Sequence, residues 1–314
     1  MSRYVLRRLG FLLLTLLLAS LLIFLITQWL PGDVARVILG READQAALQQ
    51  LEADLGLDDP LPVQYLRMLG NFFRGDWGTS YSTRTEILPQ VTNRLRNSLQ
   101  LAGLTLVIAV PLSIALGTIA GTNENRAVDH TISLTSLSVV GLPEFVTGLV
   151  LIQLLAFQWE LLPANSSIAP GSSFIENLPM LVLPAMTASL VLIAYITRLT
   201  RAGVVEELKK PYVRTADLKG LPRRTVIGRH VLRNALLPTI TIIAISFGWL
   251  MSGLVVVENV FNYPGLGRLL VFAIDRRDLP LIQAITLVTV LIFALSNLAA
   301  DLLYAYLNPR IRYQ

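Results

Sequence analysis

The 314-residue sequence has no cysteine and only two histidines, His130 and His230. The missing cysteines exclude a disulfide framework, a thiolate metal site and a thiol nucleophile, and they leave the redox compartment open. Two histidines give little support for a metal centre. Charged residues are scarce as well, at 15%, whereas 54% of the residues are hydrophobic and the mean hydropathy is +0.60. A water-soluble domain has more charge and less apolar content, so this composition predicts an integral membrane protein.

Signature motifs of several enzyme classes are also missing. The sequence has no Gly-x4-Gly-Lys-Ser/Thr loop for nucleotide phosphates, no His-Glu-x-x-His zinc motif and no Gly-x-Ser-x-Gly nucleophile motif. Paired aspartates of an intramembrane protease are absent from the apolar runs. We therefore predict that the chain is not an enzyme and that it binds no metal or cofactor of its own.

The sequence does contain six long apolar runs. A helix needs roughly 20 apolar residues to cross the ~30 Å hydrocarbon core of a bilayer. The runs occupy residues 9–30, 98–121, 131–159, 178–199, 235–257 and 279–304. The first run is too long for the apolar part of a signal peptide and no small-residue cleavage site follows it, so we expect it to remain as an anchor. The prediction is an all-α integral membrane protein with about six transmembrane helices in a lipid bilayer.

Prolines and glycines within these runs predict how the helices bend and pack. Pro111, Pro143 and Pro184 lie inside apolar runs. Neighbouring groups in a membrane bundle can satisfy the carbonyls that a proline leaves free, so we expect kinks at these positions and not helix ends. Small residues also allow membrane helices to approach closely. The glycines to which we assign this role are Gly103, Gly117, Gly148 and Gly253.

Basic residues predict the orientation of the chain. Lys and Arg are densest between Arg198 and Arg233, whereas the short loops on the opposite side hold only Arg268, Arg276 and Arg277. Both termini are therefore expected in the cytoplasm. The net charge of +5 is read as a topology signal, and no nucleic-acid partner is predicted.

The predicted domains are a cytoplasmic segment with the first helix at 1–30, an extracytoplasmic loop subdomain at 31–97, a five-helix core with a cytoplasmic loop (201–233) at 98–305, and a cytoplasmic tail at 306–314.

The first long loop, residues 31–97, is too long to be a simple connector. It contains an amphipathic stretch in which Ala47, Leu48, Leu51 and Leu55 follow helical spacing. The loop could be a subdomain that lies on the surface and caps the bundle, or a docking platform for an external partner. The residues favour neither alternative.

The second long loop, residues 201–233, is rich in basic residues, which suits the anionic inner leaflet. Its prolines and glycine are more specific. Pro211 suits the first turn of a short helix, Gly220 suits the left-handed position after its end, and Pro222 suits the start of another helix. The loop is therefore predicted to form a helix-turn-helix at the cytoplasmic face, with small residues at 215 and 216 that permit a partner to approach.

This loop carries a resemblance to a known family. Tyr212-Val-Arg-Thr-Ala-Asp-Leu-Lys-Gly220 resembles the coupling-loop motif of ATP-binding-cassette importer permeases, whose general form is Glu-Ala-Ala, three residues, Gly. Ala216 and Gly220 match this form, while Arg214 and Thr215 replace the Glu and the first Ala. The resemblance implies an ATPase-coupling helix formed by Tyr212, Arg214, Thr215, Ala216, Asp217, Lys219 and Gly220.

Further stretches support the resemblance over nearly the whole chain. His230-Val-Leu-Arg-Asn-Ala-Leu-Leu-Pro238 is similar to the dipeptide and oligopeptide branch of the family. The other matching stretches, in order, are 30–33, 55–65, 75–78, 257–270, 277–283 and 301–310. The implied fold is a bundle like that of type I importer permeases.

The resemblance implies an assembly. Its members would be this permease, a second homologous permease, two cytoplasmic ATP-binding subunits that use ATP and Mg, and an extracytoplasmic solute-binding protein, in a bacterial or archaeal cytoplasmic membrane. The implied substrates are di- and oligopeptides, with glutathione or a metal chelate such as nickel as the alternative. An ion-coupled secondary transporter is a weaker alternative, because it would need no cytoplasmic coupling motif and no internal inverted repeat is visible.

Three acidic positions near the spans are further candidates. Glu144 follows a proline inside the third run, where an unpaired charge costs ~2.5–3.5 kcal/mol. It is either a pore-lining group that meets a peptide's amino terminus or a neutral, structural carboxyl. Glu258 is a second candidate for the substrate path, although a solvated helix end is favoured there. Asp301 is expected to pair with Arg198 or Arg201.

Overall fold

The computed structural model describes residues 2–29, 44–55, 58–169 and 172–307. The motif at 30–33 and the part of the predicted tail from 308 on lie outside these residues. The described helices are α1 Ser2–Trp29, α2 Gln45–Leu55, α3 Leu61–Arg74, α4 Ile87–Thr122, α5 Ala127–Val140, α6 Glu144–Leu151, α7 Phe174–Leu208, α8 Pro211–Leu218, α9 Arg223–Thr225, α10 Leu232–Val260, α11 Leu266–Asp275 and α12 Leu279–Leu307. Ile152–Gln158 and Val226–Val231 are π-helical and connect directly to α6 and α10. Within the described ranges the β-pairing is one isolated bridge, Thr79 to Glu86. The all-α prediction is thus confirmed.

Five of the described helices, α1, α4, α7, α10 and α12, are long and apolar enough to cross a membrane. They contain five of the six apolar runs, so those predictions are confirmed. The sixth run, 131–159, does not form one straight helix. It is divided into α5 and α6 with its π-helical extension, which meet at an angle of 106°. The described residues therefore contain five helices that could span a membrane, or six if this bent pair is one broken span.

The break corrects the prediction that Pro143 only kinks a helix. Pro143 has no backbone N–H to donate, and it adopts an extended ψ of 139° as the residue before α6. A proline also disfavours helical geometry at the residue before it, and α5 has already ended at Val140. Pro111 and Pro184 do lie inside α4 and α7, as predicted. Gly141, a poor helix former, follows Val140 directly and ends α5 two residues before Pro143.

The chain divides into two compact units. One contains Ser2–Ser98 and Pro264–Leu295, and the other contains Leu99–Tyr263 with the residues from Ser296 on. The core of the first unit is an apolar cluster on α4, α11 and α12 that includes Ile87, Val91, Leu281 and Ile285, all fully buried. The second unit is built around α7, which packs most extensively against α10 and α5.

Helix α7 is central because its sequence suits burial on several sides. Ser173 caps its first turn, and the Ser173 and Glu176 side chains each bond the other's backbone N–H. Leu181, Leu192 and Ile196 are almost fully buried along its length. The helix thus provides the frame that positions α8, which follows it in the chain.

Close approach of α4 to α7 depends on Gly117. A Cβ added at Gly117 would lie 2.5 Å from Thr200 Cβ and 2.7 Å from the carbonyl oxygen of Thr197. Gly148 is in tight contact as well, with atoms at 3.3 Å, so the packing prediction is confirmed for these two glycines. It is wrong for Gly103 and Gly253, where an added Cβ would meet no atom of the described chain within 4 Å.

Gly117→Ala should therefore destabilise the protein by about 1–3 kcal/mol, because the added methyl overlaps a backbone carbonyl that cannot move aside. Gly103→Ala on the same helix should be neutral or stabilising by up to ~1 kcal/mol, because it adds helix propensity in open space. Thermal unfolding in detergent, followed by fluorescence size-exclusion, compares the two variants. Equal melting temperatures would contradict the packing argument.

Candidate functional site

The short helix α8 is the centre of the candidate site. Lys210 precedes it with an extended ψ of 146°, and Pro211 occupies its first turn, where its missing N–H is not needed. The helix is terminated at Gly220, whose φ is +74°. Gly220 N–H donates to Asp217 O at 2.9 Å, and Leu221 N–H donates to Ala216 O at 3.4 Å. This pair of bonds is a Schellman C-cap, which confirms the predicted roles of Pro211 and Gly220.

One face of α8 packs against its own unit. Val213 and Ala216 are 3% and 6% exposed and join an apolar cluster with Val204, Val231 and Ala235. This corrects the expectation that Ala216 leaves room for a partner. Its small side chain instead allows α8 to sit close to α7 and α10.

The opposite face of α8 is exposed. Its side chains are Arg214, Thr215, Asp217, Leu218 and Lys219. Leu218 is 81% exposed and is the apolar side chain of this face. The residues assigned to the coupling helix from the sequence did not include Leu218, and a search for apolar residues opposite the buried positions would have found it.

A partly buried hydrogen-bond network joins α8 to the two long helices beside it. The Tyr212 hydroxyl donates to the Glu207 carboxylate at the end of α7, and Lys210 Nζ donates to the same carboxylate. Asn234 Nδ2 of α10 donates to the Tyr212 hydroxyl at 3.1 Å. Burial and the bond to Glu207 raise the pKa of the Tyr212 phenol, and the bond to Glu207 raises the pKa of Lys210. The start of α8 is thus attached to α7 and α10 together.

A second ionic contact lies near the start of α5. The guanidinium of Arg201 on α7 pairs with the carboxylate of Asp129, with Nη2 to Oδ2 at 2.6 Å. Asp129 is 1% exposed and also accepts bonds from the Asn125 backbone N–H (2.9 Å) and Ser133 Oγ (3.3 Å). Arg201 was one of two arginines expected to pair with Asp301, and in the structure it pairs with Asp129. The pairing of Asp301 with Arg198 or Arg201 stays a prediction.

Glu144 is half-buried and is the first residue of α6, directly after the bend. It lines a small cavity with Ala188 of α7 and with Gly253, Leu254 and Val257 of α10. The open space beside Gly253 is this cavity, which explains why Gly253 makes no tight contact. The structure therefore places Glu144 at a helix break next to a small apolar cavity, and its role in a substrate path stays a prediction.

Glu258 is 1% exposed, so the expectation of a solvated helix end is wrong. The end of α10 is a second Schellman cap. Asn262 has a φ of +54° and Tyr263 N–H donates to Glu258 O at 2.8 Å. The Tyr263 ring is fully buried, and burial together with the Glu258 charge raises the pKa of its phenol. The structure therefore gives Glu258 buried surroundings that no sequence pattern indicates.

In the other unit, Asp278 joins a loop to a helix. It is fully buried, it precedes α12, and its Oδ2 accepts bonds from Ser80 Oγ at 2.6 Å, Ser82 Oγ at 2.7 Å and Ser82 N–H at 3.0 Å. Burial and the Asp278 charge raise the pKa of Tyr81 to about 12. The motif at 277–283 thus has a structural role, which is to hold the loop 79–86 against the start of α12.

No cluster of three or more potential metal ligands occurs in the part of the chain that the structure describes.

Comparisons with known proteins extend over the whole chain. The family described as binding-protein-dependent transport system inner membrane component matches residues 113–313, and its N-terminal counterpart matches residues 1–102. The glutathione transport system permease protein GsiC of Escherichia coli is 38% identical over 314 residues, which cover all of both chains. The proteins of that name from Salmonella paratyphi A and Pectobacterium atrosepticum show the same identity and coverage.

One similar solved structure is a crystal structure of an amino acid ABC transporter with histidines. It has a TM-score of 0.51 and 16% sequence identity, and the match covers 71% of this chain and 94% of that chain. At this identity the likeness concerns the fold alone. It supports the membrane bundle predicted from the sequence.

Proposed function

The chain belongs to the family of binding-protein-dependent transport system inner membrane components, and we propose that it forms half of a membrane pore. In this proposal, partner subunits that bind ATP close against each other, and their closure moves short peptides through the pore into the cell. It is a multi-pass permease of the inner membrane and of the ABC importer class. The proposed parts are its partners, its orientation, its coupling residues and its substrate.

The observation that carries the coupling proposal is the two-sided structure of α8. One face is buried in its own unit, and the other presents Leu218 between charged residues. An apolar side chain with a polar rim is the composition of a protein interface centre. The proposed partner is a cytoplasmic ATPase with a groove for this face, one ATPase for each of two homologous permeases.

The hydrogen-bond network gives the proposed route by which α8 moves the membrane helices. Because Tyr212 bonds to Glu207 of α7 and to Asn234 of α10, a displacement of α8 moves the ends of both long helices. Rigid helices transmit such a shift along their length. In this proposal the ATP and Mg belong to the partner ATPases, and the permease converts their closure into alternating access.

Short peptides are the proposed substrates. The similar permeases named above belong to glutathione transport systems, and glutathione is itself a tripeptide. Glutathione is therefore the first member of this class to test, with other di- and oligopeptides next and a nickel chelate as the alternative. An extracytoplasmic binding protein would deliver the substrate, and Glu144, half-buried at the helix break, is the proposed partner of its amino group.

The basic loop around α8 supports the proposed orientation. Lys and Arg between Arg198 and Arg233 would lie against the anionic inner leaflet, with both termini on the same side. The ATPases would then meet α8 from the cytoplasm.

Purification of the tagged chain from its native membranes in mild detergent tests the assembly. We expect a second permease and one or two ATP-binding subunits to co-purify and to be identified by mass spectrometry. Their absence, with recovery of a homo-oligomer alone, would favour the ion-coupled alternative.

Uptake of labelled glutathione, dialanine and a nickel chelate by cells with and without the gene then identifies the substrate.

A further inference from the structure

Helix α3 has an apolar stripe that its own unit leaves uncovered. Val63, Leu66 and Phe73 lie within one side of the helix at spacings of three and seven residues, and their side chains are 45%, 66% and 81% exposed. A second side of the helix faces inward through Tyr65, Met68 and Phe72. The third side carries Gln64, Arg67, Asn71 and Arg74. The helix thus has an inward face, a polar face and an exposed apolar face.

Contacts with α1 show the level at which α3 lies. The Tyr65 hydroxyl is 2.9 Å from Ser20 Oγ, and the Tyr65 ring is 5.5 Å from the Phe24 ring. Gln28 Nε2 donates to Gln64 Oε1 at 2.8 Å. Ser20 lies nine residues before the end of α1, about 13 Å along the helix axis. The inward face of α3 therefore contacts α1 over the last turns of a membrane span.

The neighbouring surface of α1 is suited to lipid. Within its span Val5–Trp29, the most apolar stretch of 18 residues has a mean hydropathy of 2.9, and 11% of that stretch is buried. Leu22 and Ile26, at the level of the α3 contacts, are each 58% exposed. The exposed apolar surface of α1 thus reaches the depth at which the apolar stripe of α3 lies. Continuity with this lipid-facing surface indicates that lipid covers the stripe as well.

We propose that α3 lies in the membrane interface at the Trp29 end of α1, with Leu66 and Phe73 in the acyl region and the polar face toward the phosphates. Interfacial helices of this kind bury an apolar side in the boundary between headgroups and acyl chains and carry Arg or Lys on the polar side. Arg74 is positioned to extend toward the headgroups while its stem stays on the apolar surface. The partner of this surface is the phospholipid bilayer.

This inference goes beyond the proposed transport function and selects between the two alternatives for the first long loop. Residues 61–74 are then an anchor that holds the loop at the bilayer. They are not a water-facing platform for a second protein.

The absence of cysteine makes a direct test possible, because one introduced cysteine is the only labelling site. Leu66→Cys and Phe73→Cys each receive a nitroxide spin label, and the protein is placed in phosphatidylethanolamine and phosphatidylglycerol nanodiscs. Arg74→Cys on the polar face is the matched control, and Leu22→Cys on α1 is the acyl-chain reference. Two collision rates of the spin label are measured, one with oxygen and one with a nickel chelate, and their ratio is compared between sites. Oxygen concentrates in the acyl region, whereas the nickel chelate stays in water.

We expect this ratio to be several-fold higher at Leu66 and Phe73 than at Arg74, and close to that at Leu22. Equal ratios at Leu66, Phe73 and Arg74 would overturn the proposal, because the stripe would face water. Low collision with both reagents would also overturn it, because a protein would then cover the stripe. The unmodified chain provides a second reading, in which phospholipids with a photoreactive acyl chain should crosslink to peptides that contain residues 61–74.

Discussion

Arg201→Leu is expected to lower the free energy of unfolding by about 3–5 kcal/mol, because it leaves the carboxylate of Asp129 buried without its counter-charge. Asp129 is 1% exposed, whereas the Arg201 side chain is 30% exposed. Water can therefore solvate the arginine in part but not the aspartate. The remaining bonds from Asn125 and Ser133 to the carboxylate are too few to replace a guanidinium.

Arg198→Leu is the matched control, because Arg198 lies one turn earlier on α7 with an exposed side chain. Its effect should stay within about 0.5 kcal/mol. The double variant Asp129→Leu with Arg201→Leu should recover part of the loss, because it removes the uncompensated charge. Thermal unfolding in detergent compares the three. A melting temperature of Arg201→Leu equal to that of Arg198→Leu would show that the ion pair does not stabilise the fold.

Gly220→Val is expected to reduce substrate uptake at least tenfold while the protein still inserts in the membrane. Gly220 has a φ of +74° and an added Cβ would meet no atom within 4 Å, so the substitution acts through the backbone alone. The left-handed conformation costs a side-chain-bearing residue about 1–2 kcal/mol, and a β-branched residue more. This cost destabilises the Schellman cap that ends α8. A cost of about 1.4 kcal/mol lowers the population of the capped conformation tenfold. The exposed face of α8 would then lose its fixed direction.

Gly228→Val is the control in the same loop, because Gly228 also has open space around it but no positive φ. Uptake of labelled substrate, normalised to the amount of protein in the membrane, should be close to wild type for this variant. ATP hydrolysis by the purified complex gives a second measurement, since an uncoupled permease should lose its response to the binding protein. Normal uptake by Gly220→Val at normal membrane levels would remove α8 from the coupling proposal.

The helix boundaries show how far sequence patterns reach. Apolar runs predicted five long helices because lipid and core both require sustained apolar sequence, whatever packs against it. The run at 131–159 had the same composition but breaks by 106°. Composition cannot distinguish a kink from a break, since the outcome depends on which neighbours satisfy the freed carbonyls.

The candidate site shows a similar division. The motif at 212–220 identified α8 and its ends, because proline and glycine have conformational requirements that act locally. It did not show that Ala216 is buried or that Leu218 is exposed. It also missed Glu207, Asn234 and Asp129, whose partners are distant in sequence or lie on another helix.

The sequence by itself determined that this chain is a helical membrane permease of its family, which residues form its five long apolar helices and where α8 begins and ends. These features depend on composition, on the backbone preferences of single residues such as proline and glycine, and on the order of the family's motifs along the chain. Only the tertiary structure decided which carboxylates are buried, that Arg201 pairs with Asp129, and that Gly117 but not Gly103 lies at a close helix contact. These outcomes depend on which side of one helix meets another, and the partners there are far apart in the sequence.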